Sequence, residues 1–323
     1  MKKIAFTLCS NNYIPQAKLL IDSFLQHNHD YLFILGLVDE KKAGLNYSFG
    51  TNVKIVACSE VLPAAILKHM SRQYKIVELN TAVKPFYFRY LFENFVEAEH
   101  IIYLDPDIYV YHSFQYIENC LHESDIILTP HASTPVPLDG KKPDERSYLK
   151  YGIFNLGFLA VTRSENTDIF LRWLAERLYD YCYMEINLGM YVDQLWINHV
   201  PIYFNKVFIT RHPGLNCAYW NLHERYFYFN KNSYFVNETF QLIFFHFSAL
   251  DVDDTNNISG SQNRYSLNDR PDLSSLINQY AQKLKNARAD GTYNVRCVYT
   301  PQNIFQKLLY YKKRFILRKT KVV

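Results

Sequence analysis

Residues 100–111 read HIIYLDPDIYVY. The run Ile101, Ile102, Tyr103 and Leu104 has the apolar character of a buried strand, and two carboxylates follow it, Asp105 and Asp107. Alternating strand side chains would put both carboxylates on one face, close enough to repel. Pro106 between them has no amide to give a sheet ladder, so the regular strand should fail at this point. A hard divalent cation such as Mg²⁺ or Mn²⁺ would relieve the repulsion, because it favours carboxylates, waters and phosphate oxygens. Asp-Pro-Asp is also ordinary turn chemistry. The spacing alone leaves both readings standing.

Outward from this stretch the chain alternates strands and helices. KIAFTLC (3–9), YLFILGLVD (31–39) and NVKIVACS (52–59) read as buried strands. A helix is expected from about Pro15 to His27, with Ala17, Leu20, Ile21 and Phe24 as its apolar stripe. A helix over 81–96 feeds the opening strand, and SDIILTP (124–130) and GIFNLGFLAV (152–161) continue the strand series. The amphipathic run 165–181 is a further helix. Strand, helix and strand in this order imply a mostly parallel α/β sheet covered on both faces. Such sheets bind ligands beyond the C-terminal ends of their strands, which is where Asp105 and Asp107 stand. After about residue 200 the pattern breaks into short aromatic strands (VFIT, RYFYF, LIFFHF), a polar loop over 251–264, and two C-terminal helices near 271–287 and 301–317.

Composition narrows the classes. Apolar residues make up 49% of the 323 and charged ones 20%, which describes a chain with an ample core. A net charge of +4 is too small to argue for nucleic acid. The six cysteines are scattered singly, as reduced thiols would be, and the N-terminus lacks a signal-peptide pattern. A cytoplasmic protein is the expectation. No stretch reaches membrane-span length. Residues 306–321 hold six Lys or Arg after Lys307 and no acid. A helix of this kind could lie peripherally on an anionic inner-membrane face, or be a solvated terminal helix. No strand is followed by G-x-G-x-x-G, which excludes a dinucleotide-dependent hydride transfer, and CSNNYIP lacks the glycines of a triphosphate cradle.

Five motifs in order resemble the GT-A-type glycosyltransferases, most closely family eight, the group of glycogenin and the lipopolysaccharide galactosyltransferases. They are TLCSNNYIPQAKLLIDSF (7–24), KPFYFRYLFENFVEAEHIIYLDPDIYVY (84–111), GIFNLGFLAV (152–161), YVDQLWIN (191–198) and FFHFSALD (244–251). The resemblance implies a GT-A α/β domain over 1–265 and a helical extension with a basic-aromatic tail over 266–323. It implies that Asp105, Asp107 and His246 hold Mn²⁺ or Mg²⁺, and that Asn12 and Tyr13 hold the base of a nucleotide-sugar donor, most naturally UDP-linked. Arg89 would stand near the diphosphate or Asp105, and Asn155, Gly157, Asp193 and Gln194 near the sugar. Asn216, Trp220 and Asn221, in a polar stretch around an indole, read as a sugar or acceptor platform. The activity implied is hexosyl transfer to an acceptor hydroxyl, on a glycan, a lipid-linked sugar or a protein, in surface-glycan assembly.

The residues themselves keep other readings open. Asp193 fits a helix N-cap, His246 lies among phenylalanines as core histidines do, and Trp220 fits sheet-edge packing. Within the 84–94 run Arg89 is the cation expected to be partly buried, and so to need an anion. The family carries a diphosphate-binding Lys soon after its metal-binding His; here none occurs until Lys283, and Arg264 is the cation that could substitute. Should the reaction invert the anomeric centre, Asp193 is the candidate base; should it retain, as the family does, Asp193 orients the sugar. A degenerate diphosphate clamp also admits a non-catalytic nucleotide or sugar binder on the same fold.

Overall fold

The computed structural model describes residues 2–289 and 291–300, with Leu308, Tyr311, Arg314 and Phe315 beyond them. Apart from those four, the helix expected near 301–317 and the basic tail lie outside the described residues. The apolar runs at the start of the chain form β1 (Lys2–Cys9), β2 (Tyr31–Leu37), β3 (Val53–Ala57) and β4 (Ala98–Leu104). Next come β5 (Ile108–Val110), β6 (Ile126–Leu128), β7 (Phe158–Thr162), β8 (Val207–Ile209) and β9 (Phe244–His246). Seven of them make one sheet in the order β8-β6-β7-β4-β1-β2-β3. Within it β1 runs parallel to β2 and β4, β2 to β3, and β6 to β8; β7 is antiparallel to both its neighbours.

Both faces of this mostly parallel sheet are covered by helices, as the near-continuous apolar strands require. Alternation along β1 sends Ile4, Phe6 and Leu8 to one core with Tyr87, Phe88 and Leu91, and Ala5 and Cys9 to the other with Leu20, Ile21 and Phe24. A third core in the aromatic second half gathers Phe227, Tyr234, Phe245 and Phe247 under the Ser274–Arg288 helix.

Several boundaries differ from expectation. The helix expected over 81–96 is two helices, Ile76–Ala82 and Lys84–Asn94, the second with Pro85 in its first turn, where a missing amide is tolerated. GIFNLGFLAV is strand only from Phe158, because the Asn155 Oδ1 accepts the Gly157 amide at 3.1 Å and turns the chain before the ladder begins. VFIT, read as part of the irregular half, supplies the sheet edge β8. RYFYF opens a three-stranded meander of Phe227–Asn230, Ser233–Val236 and Phe240–Gln241.

Candidate active site

The chain leaves β4 at Leu104 and turns tightly, with the Ile108 amide donating to the Asp105 carbonyl at 3.1 Å. Asp-Pro-Asp is therefore a turn, and the turn is also what aims both carboxylates. The Asp105 amide is tied across to the Gly157 carbonyl at 2.8 Å, and β5 then pairs antiparallel with β9, His246 opposite Ile108. This pairing brings His246 against the turn: its Nε2 lies 3.0 Å from Asp107 Oδ1 and 3.8 Å from Asp105 Oδ2. One ligand atom from each of Asp105, Asp107 and His246 falls within 4.8 Å of the others, the one such group among the described residues.

The donor set fits a divalent cation of the Mn²⁺ type, two carboxylate oxygens and an imidazole nitrogen. The backbone around it leaves room for the ring and little else. A Cβ at position 157 would meet His246 Cε1 at 2.4 Å and Nδ1 at 2.7 Å, so only glycine admits the imidazole there. Burial works to raise the Asp107 carboxyl, yet the charge and hydrogen bond of His246 outweigh it and hold it below the ordinary range. Burial works to lower His246, and the carboxylates of Asp107 and Asp105 outweigh it and hold the imidazole above its usual value.

A second buried cluster adjoins this group. Lys84, on the buried face of its helix, places Nζ 2.5 Å from Asp193 Oδ2 and 2.9 Å from the Leu156 carbonyl, over the Tyr103 ring at 4.2 Å. The Tyr103 hydroxyl in turn donates to Asp105 Oδ1 at 2.5 Å, so Tyr103 joins the two clusters, by its hydroxyl on one side and its ring face on the other. Asp193 stands at the start of the Gln194–Ile197 helix but makes no capping bond, and burial raises its carboxyl above the usual range despite Lys84. Val192 before it has φ +45°, a conformation a β-branched residue adopts only under strain of about 1–3 kcal/mol. That turn is what delivers the Asp193 carboxylate to Lys84 rather than to its own helix.

Asn155 joins these groups to the next layer. Its Oδ1 accepts from Gly157 N and from Asn216 Nδ2, and its Nδ2 faces Gln194 Oε1 and His131 Nε2, each at 3.4 Å. Gln194 Nε2 donates to the Tyr151 carbonyl at 2.7 Å. Burial pushes the His131 pKa down to about 4, and the ring stacks on Tyr148 with Trp220 edge-on. Trp220 is also edge-on to His246, with ring centroids 5.1 Å apart. All these groups except Tyr103 and Asn216 line one cleft of about 880 Å³, with Lys142, Arg146 and Lys150 on its rim.

The remaining expected residues divide. Asn12 and Tyr13 lie on the 3-10 turn just after β1, both exposed. Asp107 and Asp105 are near enough to the Tyr13 phenol to help raise it, after the effect of burial. The buried member of that stretch is Asn11, which holds the Tyr47 hydroxyl and the Glu40 carbonyl. Asn216 and Asn221 are fully buried and spend their amides on Thr129, Asn155 and the carbonyls of His131 and Asn216. They brace the cleft rather than forming a platform in it; Trp220 is the member that lines it.

Two expected cations are corrected. Arg89 is partly buried as expected, its side chain 36% exposed, but it faces Glu93 one turn on at 3.9 Å and does not line the cleft; Lys84 occupies the buried position near the carboxylates. The helix register explains this, since Lys84, Phe88 and Leu91 share the buried stripe and Arg89 falls off it. A lysine inside an apolar i, i+4, i+7 stripe was the available signal. Arg264 is buried and committed to Asp139 and to the carbonyls of Lys141 and Pro143, so it clasps the loop at the rim and does not face the Asp105–Asp107 turn. Nothing local in the sequence marks His131 or Tyr148 as a cleft-lining loop residue; the position of His131 just past the end of β6 is the one hint.

No protein-family model matches the chain. It is similar to two uncharacterized Bacillus subtilis (strain 168) proteins. YfnF is 22% identical over 253 residues, 78% of this chain and 83% of that protein; YfnD is 25% identical over 248 residues, 75% and 76%. Among solved structures it is similar to the glycosyltransferase GlyE of Streptococcus pneumoniae TIGR4, at 14% identity and TM-score 0.48 over 90% of this chain and 64% of that one. The galactosyltransferase LgtC in complex with donor and acceptor sugar analogs follows, at 14% identity and TM-score 0.45 over 67% and 76%. A glycosyltransferase involved in glycosylation of the PBCV-1 major capsid matches at 12% identity and TM-score 0.43 over 76% and 92%.

Proposed function

We propose that this chain is a metal-dependent GT-A glycosyltransferase that moves a hexose from a nucleotide donor, probed best as UDP, to an acceptor hydroxyl. The observation that carries the reading is the convergence of Asp105, Asp107 and His246 to within 4.8 Å at one end of a polar cleft. Asp105, Asp107 and His246 would hold Mn²⁺ or Mg²⁺, and such an ion, when bound, supplies Lewis-acid stabilisation of charge developing on the leaving diphosphate. Asn12 and Tyr13 supply the base side from the end of β1. Asn155, Gly157 and Gln194 form the sugar side, with Trp220 as an apolar wall beyond it.

For Asp193 the geometry favours orientation over proton abstraction. One of its oxygens is engaged by Lys84 at 2.5 Å, which fixes the position of the carboxylate and leaves that oxygen committed rather than free to take a proton from an acceptor. This supports the retaining course. Lys84, close to both the metal cluster and the sugar side, is the buried cation that stands where Arg89 was expected. The acceptor, a glycan, lipid-linked sugar or protein, would enter past Lys142, Arg146 and Lys150. The basic tail, with Leu308, Tyr311 and Phe315 each more than half exposed, would make a peripheral contact with an anionic inner-membrane face, consistent with surface-glycan assembly in the cytoplasm.

The commitment of Arg264 to its own loop favours one other reading, a nucleotide or sugar binder that does not turn its ligand over. Titration of UDP into the protein calorimetrically, with Mn²⁺ and with EDTA, tests the first reading. Binding should weaken at least tenfold, about 1.4 kcal/mol, both in EDTA and in Asp107→Ala. UDP binding that ignores EDTA would remove the metal from the site, and metal-dependent binding with no hydrolysis of any UDP-hexose would favour the binder.

A further inference from the structure

Arg314 is the buried residue among the four described past residue 300, with 7% of its surface exposed. Its Nη2 donates to Glu78 Oε1 and its Nε to Glu185 Oε1, each at 2.8 Å, and the guanidinium lies over the Tyr183 ring at 5.5 Å. The socket is built for it. Glu78 is fully buried, and its Oε1 also accepts the Met184 amide at 2.9 Å, while its Oε2 accepts the Lys75 amide at 2.8 Å. The Cys182 thiol donates to the Glu78 carbonyl. One guanidinium thus joins the Ile76–Ala82 helix to the segment that begins at Cys182.

That segment is a wall of the cleft. Met184–Glu185 pairs with Met190–Tyr191, and the Val192 amide returns to the Tyr183 carbonyl at 3.1 Å. Met184, Ile186, Tyr191, Val192 and Asp193 all line the cleft, as do Val77 and Thr81 from the facing helix. The strained Val192 and the Asp193 it delivers therefore rest on a small hairpin whose base is gripped by a residue from the far end of the chain. A fork with two nitrogens on two different carboxylates fixes the relative position of the elements that carry them, which a point charge cannot do.

We infer that Arg314 is a positioning residue for the sugar side of the cleft, bridging Glu78 and Glu185 to hold the Tyr183–Asp193 wall. The inference rests on the sugar-side role proposed for Asp193, and its test does not depend on turnover. Hydrogen–deuterium exchange on the full-length protein compares wild type with Arg314→Ala. Amides over 183–193 should exchange at least tenfold faster in the variant, those of β1 and β4 should keep their rates, and UDP affinity with Mn²⁺ should stay within twofold. The ratio of UDP-galactose or UDP-glucose affinity to UDP affinity should fall, since only the sugar side is loosened. Should Arg314→Ala fail to fold, Arg314→Lys and Glu185→Gln carry the same comparison, with smaller increases confined to 183–193. Unchanged exchange over 183–193, or an equal increase in β1 and β4, would overturn the inference. Failure of wild type to bind UDP would sink the functional proposal alone, because the exchange result decides this one independently.

Discussion

His246 couples the site to pH in a direction set by its neighbours. Its folded-state pKa lies above the ordinary 6.5, so without metal it contributes stability below that value, lost as pH rises through the folded pKa. Asp107 is depressed below 3.8, so its contribution is present above that value and lost as pH falls through its own folded pKa. A cation needs the imidazole without its proton and therefore competes with it. We expect apparent Mn²⁺ affinity to rise by up to about tenfold per pH unit from roughly pH 5 upward, flattening once His246 has released its proton. Thermal melts at roughly pH 5 and pH 8, with and without Mn²⁺, check this. Stabilisation by the metal should be larger at the higher pH; equal stabilisation at both would mean that His246 is not a ligand. At this scale much could be read in the sequence. Asp105, Asp107 and His246 sit in runs whose pattern stops abruptly, and burying such groups needs a chemical reason. The identity of the buried cation was harder, because choosing between Lys84 and Arg89 requires the rotation of one helix to within a residue. The two clasps, Arg264 at the rim loop and Arg314 under the Tyr183–Asp193 wall, depend on contacts between distant segments that no local pattern contains.

At the scale of elements, the geometry of the Asp105–Asp107–His246 group depends on three short pieces meeting, namely the turn after β4, strand β9 and the turn before β7. Gly157 is where two of them touch. Gly157→Ala should leave the sheet intact, since β7 begins one residue later, but it forces the imidazole away from the carboxylates. We expect a stability loss of about 1–3 kcal/mol from the overpacking, and a drop in Mn²⁺ affinity of at least tenfold. Calorimetric titration beside chemical denaturation separates the two effects; a variant that binds Mn²⁺ normally would show that His246 has room the structure denies it. Strand existence was legible from apolar runs, yet strand direction was not. A buried strand reads the same whichever way it points, so GIFNLGFLAV gave no sign that β7 runs against its neighbours. The connection before it, which winds along the cleft rim and carries Lys142, Arg146 and Lys150, is what makes the reversal possible.

Across the whole molecule, three cores meet at the site. The Ser274–Arg288 helix belongs to the third, where Leu276, Ile277 and Tyr280 pack on Phe245 and Phe247, and the Tyr280 ring stacks on Phe247 at 3.8 Å. Phe247 is the residue after His246, and its amide is tied to the Asp107 carbonyl at 2.9 Å. A division of the chain at residue 265 therefore runs through a shared core. Burying Leu273, Leu276, Ile277, Tyr280 and Leu284 contributes roughly 1.5–3 kcal/mol each, comparable in sum with the stability of a typical domain. A fragment of residues 1–265 should fail to bind Mn²⁺ and should unfold at markedly lower denaturant, as followed by circular dichroism. A fragment that binds the metal normally would show the helical extension to be dispensable.

The edge-on contact between Trp220 and His246 has one more consequence, and it concerns light. Trp220 is one of three tryptophans in the chain and the one that stands against the imidazole. Indole emission is quenched by a neighbouring imidazolium and by a paramagnetic ion, and Trp220 is buried away from solvent, where its emission is blue-shifted from that of an exposed ring. The protein therefore carries its own optical gauge beside the imidazole. A proton on His246, or an ion that takes its place, should dim the Trp220 share of an emission to which Trp173 and Trp196 add a steady background, with no dye attached.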